Sequence, residues 1–213
     1  MQKRFVLFAF LVLSVVLCGA SAARAHGGFD ARDAVCFKTY PTDPALFNDV
    51  VGPYVQKIIE RHGLEEWKAT LLTNEMHRHL GLWSIIGAKM GVRAREVLDA
   101  PFDQLRVVSF AGRTPPFSCL NDGIQVSTGA SLGRGTINVA DMAVPEAQFF
   151  HDDKGLFMKP KPEIVKAVRG TIKELSKAYG FQSEEYFRQL EKVSVKYWLV
   201  WDRSTMFEER PMP

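Results

Sequence analysis

Two of the five histidines stand two positions apart, in Glu75-Met76-His77-Arg78-His79-Leu80-Gly81. Imidazole is a common ligand for zinc, nickel, copper and iron. On a helix, residues two apart point to nearly opposite sides; on extended backbone they share a side. The helical pattern downstream begins only at Leu80. His77 and His79 are therefore expected on an extended lead-in, where they can converge on one ion. The plain alternative is two surface histidines at a helix start, since a lone H-x-H is a weak motif. A second candidate is Ser118-Cys119-Leu120-Asn121-Asp122-Gly123-Ile124-Gln125. With Ser118 as cap, Cys119 opens a helix, where free amides and the positive dipole end favour a thiolate. Such a sulfur suits a metal ligand or a nucleophile. Asp122 follows one turn later on the same face and could ligate, act as a base or orient a histidine. The alternative is a buried small cysteine or a disulfide partner for Cys36, with Asp122 an ordinary first-turn acid. The third candidate runs from Ser127 to Thr136 and is rich in glycine. It is neither a Walker loop nor a dinucleotide fingerprint: no lysine follows the glycines, and a helix precedes it.

The elements that must position these residues are legible in outline. A helix is expected over 44–61, capped by Asp43 and stopped by Gly63, with Gly52-Pro53 as a kink or its true start. The short apolar run 67–72 reads as a strand. Leu80, Trp83, Ile86 and Met90 recur at helical spacing and give a second helix to about Leu98, on which Gly87 and Gly91 suit close backbone packing. A buried strand is expected at 105–110 and another at 136–139. The segments 148–150 and 156–158 flank Asp152-Asp153-Lys154-Gly155 and read as a hairpin. Helices follow over 162–179, stopped by Gly180, and from the Ser183 cap to about Val193. Residues 195–201 suggest a last strand or a packed tail. With no repeat or linker, the reading is a single α+β domain, a sheet packed with helices.

The chain has 213 residues, 46% hydrophobic and 24% charged, which excludes a disordered or collagen-like chain. Lys3, Arg4 and Arg24, with no acid among the first 25 residues, account for the whole formal excess of +3. The neutral remainder carries no electrostatic footprint for nucleic acid. Lys3 and Arg4 precede an apolar run, and Ala23-Arg24-Ala25 gives the small-x-small pattern of a cleavage site. Residues 1–25 are thus expected to be a signal peptide and 26–213 the mature domain, starting at His26. Its location would be periplasmic or secreted, without stable membrane insertion. Leu17 stands before Cys18 where lipidation needs a small residue. After cleavage Cys36 and Cys119 remain.

Taken together, H-x-H-L-G at residues 77–81 and C-x-x-D-G-I-Q-x-x-T-G-A-x-L-G-x-G at 119–135 resemble the FmdE-type family, named after the E component of formylmethanofuran dehydrogenase. The resemblance covers about 75–139, with weaker continuity to both sides. It implies an α+β core whose cleft is lined by both blocks and often holds a metal ion. Carried over residue by residue, it points to His77, His79, Cys119 and Asp122 as metal residues. It likewise points to Gln125, Thr128, Gly129, Gly133 and Gly135 as binding residues. Arg78 stands where the family usually has glycine. Gly81-Leu82-Trp83 replaces a common C-P-G, removing a soft donor, and a cysteine-rich zinc-finger tail is missing. An exported chain is not expected in the cytoplasmic complex that gave the family its name.

Three readings remain. The leading one is an exported metal-binding protein holding zinc or nickel, with a small-molecule ligand in the same cleft. The second is an enzyme, metal-dependent or built on Cys119 as nucleophile. The third is a structural domain with a Cys36–Cys119 disulfide. A homo-oligomer is left open.

Overall fold

The computed structural model of the protein describes residues 36–213. The signal-peptide reading, its cleavage site and Cys18 lie outside the described residues. Two short 3-10 turns, Pro44–Leu46 and Gly52–Tyr54, precede the first α-helix, α1, Val55–His77. The Asp43 carboxylate accepts from the Ala45 amide at 3.0 Å, so the cap is real but serves only the first turn. Gly52-Pro53 marks the approach to the true helix start. Gly63 does not end the helix. Its non-helical backbone (φ 83°, ψ 167°) kinks α1, and the chain resumes helical geometry beyond it.

The expected strand at 67–72 therefore belongs to α1, a correction. A short apolar run fits a buried helix segment as well as a strand, and periodicity alone does not separate them. The remaining elements are α2 Leu82–Leu98, β1 Arg106–Ser109, α3 Cys119–Thr128, β2 Ile137–Val139, β3 Ala147–His151 and β4 Lys154–Pro160. After them come α4 Pro162–Tyr179, α5 Glu184–Val200 and β5 Phe207–Met212. Residues 195–200 are the end of α5, not a strand: Leu190, Ser194, Val195 and Trp198 are buried at helical spacing. The strand β5 has no counterpart among the expected elements.

The five strands form one mixed sheet in the order β2-β1-β3-β4-β5. Only β1 and β2 are parallel, with Val107 opposite Ile137. The β3–β4 hairpin turns at Asp152-Asp153, as expected. Val107, Phe149, Leu156 and Met158 face the main core, where they meet Ile86, Met90, Leu120 and Ile124 of α2 and α3. A second core joins α1 to α5 through stacked Trp67 and Trp198 rings, 5.1 Å apart. α2 is the buried central helix, and α3 lies against it. A Cβ on Gly87 would run into the Leu120 carbonyl, and one on Gly123 into the Ser84 carbonyl and the Ala88 amide. Glycine at both positions lets the two backbones touch. That close approach fixes where α3 begins, and hence where Cys119 sits.

Candidate functional site

Cys119 begins α3, but its amide already bonds the Pro116 carbonyl at 3.3 Å. Leu120 and Asn121 bond Phe117 and Ser118 in the same way. Ser118 makes no side-chain cap. The helix start therefore offers the sulfur fewer free amides than its position in the sequence suggests. Asn121 ties the opposite wall to α3. Its side chain accepts from Ser109 Oγ at 2.5 Å and donates to the Gly112 carbonyl at 2.9 Å.

The histidine pair lies elsewhere than expected. His77 is the last residue of α1, and Arg78 turns left-handed (φ 67°) to end the helix. The pair spans a helix C-terminus rather than an extended lead-in, which corrects that reading. The reason is Gly63, which bends α1 without stopping it. The left-handed step separates the two rings. His77 turns toward α3, where its Nδ1 donates to Asp122 Oδ2 at 2.8 Å. His79 packs its ring on Phe187 at 5.0 Å and lines a different cavity, together with Glu75, Arg78 and Glu191. The rings still touch, with centroids 4.3 Å apart.

A cleft of about 510 Å³ opens over His77, Cys119, Asp122 and Gln125. Arg113, Ser118, Asn121 and Asn138 complete its polar lining. Arg113 and Asn138 were missed, because no sequence signal links a loop after β1 or an edge strand to α3, and Asn121 stood within the second candidate segment without a role assigned to it. The His77 side chain is 12% exposed and that of Asp122 31%, so the pair is half-sheltered but reachable. Asp122 and then Cys119, through hydrogen bonding, raise the His77 pKa from 6.5 to about 9 against the opposing effect of burial. His79 moves the other way. Burial, then the charge of His77, lowers it to about 4. Two neighbouring imidazoles thus differ in charge at neutral pH, one positive and one neutral. His77 Nε2 is buried beside Gly81 and has no hydrogen-bond partner among the described residues.

Metal ligation needs several donors aimed at one point. Among the described residues, no group of three or more His, Cys, Asp or Glu side chains is arranged to hold an ion. The cleft brings together His77, Cys119 and Asp122, but His79 does not line it. Asp122 is engaged by His77 Nδ1. What fits is a partial set of one imidazole and one sulfur, those of His77 and Cys119. Cys36 and Cys119 are both free thiols.

The glycine-rich stretch holds its own shape. Thr128 Oγ1 donates to the Ile124 carbonyl at 2.6 Å, and Gly129 ends α3 in left-handed geometry (φ 76°). Gln125 Oε1 accepts from the Leu132 amide at 3.3 Å. Arg134 pairs with Asp103 and bonds the Gly129 carbonyl. Gly133 and Gly135 are exposed. Of the five residues expected to bind a ligand, Gln125 alone lines the cleft.

Residues 76–208 match the family described as FmdE, Molybdenum formylmethanofuran dehydrogenase operon. No curated protein matches the chain. A solved structure of a tungsten formylmethanofuran dehydrogenase FmdE-like protein from Syntrophus aciditrophicus is similar, at 18% identity and a TM-score of 0.43. The likeness covers 75% of this chain and 70% of that one. No helix among the described residues is long and apolar enough to cross a membrane.

Proposed function

The chain belongs to the FmdE family, and on that premise we propose that it is an exported protein whose cleft uses Cys119, His77 and Asp122 as one unit on a small molecule. One observation carries this reading: a carboxylate fixes an imidazole at 2.8 Å, with a free thiol beside it, in one open cleft. That is the arrangement of a nucleophile, an acid–base group and the group that orients it. Asp122 fixes the orientation of the ring through Nδ1. The imidazolium stabilises negative charge on the adjacent sulfur. As the Cys119 thiolate forms a bond to an electrophilic carbon, His77 passes its proton to the departing group. Gln125, Asn138 and Arg113 are placed to position polar parts of the ligand. Export to a periplasmic or extracellular location rests on the first 25 residues.

The test is alkylation of Cys119 by iodoacetamide in a Cys36→Ser background, followed from pH 5 to 10. Labelling at neutral pH should slow about tenfold or more in His77→Ala and Asp122→Asn with the fold intact. Equal rates in all three proteins would separate the sulfur from the imidazole and sink the proposal.

The free His77 Nε2 supports a second reading. A histidine whose Nδ1 is held by a carboxylate while Nε2 has no partner is how proteins present imidazole to a metal. Zinc or nickel would take His77 and Cys119 from the protein and the rest of its ligands from solvent or a bound molecule. When bound, such an ion supplies Lewis acidity. Zinc titration decides. Stoichiometric binding lost in Cys119→Ser and kept in His79→Ala supports this reading, whereas equal binding by both variants places the metal elsewhere.

A further inference from the structure

A second concavity, of about 600 Å³, lies between α4 and the ends of β3 and β4, and it shares no lining residue with the Cys119 cleft. Its floor is Val144, Pro145, Pro160, Pro162 and Val165. Along one rim stand Lys166, Arg169 and Lys173, spaced three and four apart and so on one face of α4. All three are exposed, and none forms an ion pair among the described residues. The Arg169 guanidinium lies over the Phe117 ring at 5.6 Å. On the opposite rim Lys159 is neutralised by Glu208 at 3.1 Å, and Glu146 is the remaining acid. The groove is therefore apolar below and positive along one edge, on a domain that is otherwise close to neutral.

That charge pattern calls for an anion with an apolar body. The floor decides which kind. Three of its five residues are prolines, which have no amide hydrogen to offer a peptide main chain. Aliphatic surface with few donors suits a hydrocarbon tail better than an extended peptide. We propose that this groove binds the anion of a medium-chain fatty acid, with its tail on the proline-rich floor and its carboxylate against Lys166, Arg169 and Lys173. The site is independent of the Cys119 cleft.

Calorimetric titration of the purified protein with acetate, hexanoate, octanoate and decanoate, each below its micellar concentration, tests this. Affinity should rise by about three- to fourfold for each added methylene that the groove buries. Lys166→Glu/Lys173→Glu should weaken decanoate binding at least tenfold. A Cβ on Gly170 meets nothing within 4 Å, so Gly170→Trp should fill the groove and abolish binding while circular dichroism stays unchanged. Absence of decanoate binding, equal binding of acetate and decanoate, or indifference to both variants would overturn the proposal. Tighter binding of a glutamate-rich peptide than of decanoate would also overturn it, and would make the groove a protein-docking surface.

Discussion

The cleft and the interior each hold a cluster of charged side chains drawn from distant parts of the chain, and they differ in what is left over. Inside, Glu66 of α1 and Lys89 of α2 are both 0% exposed and pair directly. Lys89 Nζ also donates to the Trp201 carbonyl at 2.8 Å. Arg203 donates to the second Glu66 oxygen at 3.0 Å, to Glu96 at 2.6 Å, and to the His62 carbonyl at 2.8 Å. That last bond meets the backbone next to the Gly63 kink. Each charge has a partner, and burial lowers the Lys89 pKa to about 8 despite Glu66. In the cleft, by contrast, His77 has one nitrogen bonded and one idle, and the thiol and carboxylate face a cavity. Burying an ion pair without loose ends fastens three segments together. Leaving the buried His77 Nε2 unmatched costs stability and gains nothing structural, so it marks the place where a ligand completes the set.

The contrast breaks first at Lys89. Lys89→Met should destabilise the fold by about 3 kcal/mol, because it leaves the buried Glu66 carboxylate with Arg203 on one oxygen and no cation on the other. Urea melts read this directly, and Glu66→Gln/Lys89→Met should recover much of the loss. A Lys89→Met protein as stable as wild type would mean the network is no structural fastener.

The next largest effect is electrostatic and confined to the cleft. Asp122→Asn removes the main cause of the raised His77 pKa, so the ring should titrate more than one unit below about 9 in NMR spectra. The melting temperature should move little. An unchanged titration would show that Asp122 does not orient the ring.

The histidine pair also shapes stability against pH. His77 is raised above 6.5, so its contribution is full below 6.5 and is lost as pH climbs through about 9. His79 is lowered, so its contribution is present above 6.5 and is lost as pH falls through about 4. Melting temperatures across pH 4–10 should therefore fall on both sides of a plateau. His79→Phe should flatten the acid limb alone, whereas His77→Gln should remove the alkaline limb and also shallow the acid one, because the His77 charge helps to lower His79.

The smallest effect belongs to the loop. Gly133 has negative φ, and a methyl added there would meet nothing within 4 Å. Gly133→Ala should therefore stay within about 0.5 kcal/mol and leave Cys119 alkylation unaltered. A marked loss of cleft reactivity would restore the loop to the site.

Much of this was legible in the residues themselves. Helical spacing at Leu80, Trp83, Ile86 and Met90 gave α2, and Asp152-Asp153 gave the hairpin, because both signals are local. His77, Cys119 and Asp122 stood out because imidazole, thiol and carboxylate are few and chemically distinct. Lys89, set within an apolar helix, was a signal of the interior network that could have been read. The other members, Glu66 and Arg203, could not, since nothing local ties residues 23 and 114 positions away to one point.

What the sequence determined by itself is therefore the inventory of reactive groups and the elements with a clear period. The tertiary structure alone decided their company. Gly63 bent α1 instead of ending it, so His77 reached α3 from a helix C-terminus, and the left-handed Arg78 sent His79 to another cavity. Burial settled residues 67–72 and 195–200 as helix, because an apolar run takes whichever backbone lets it pack. The pairing of β5 with β4 joins charged and proline-containing segments whose only signal is the neighbour they meet.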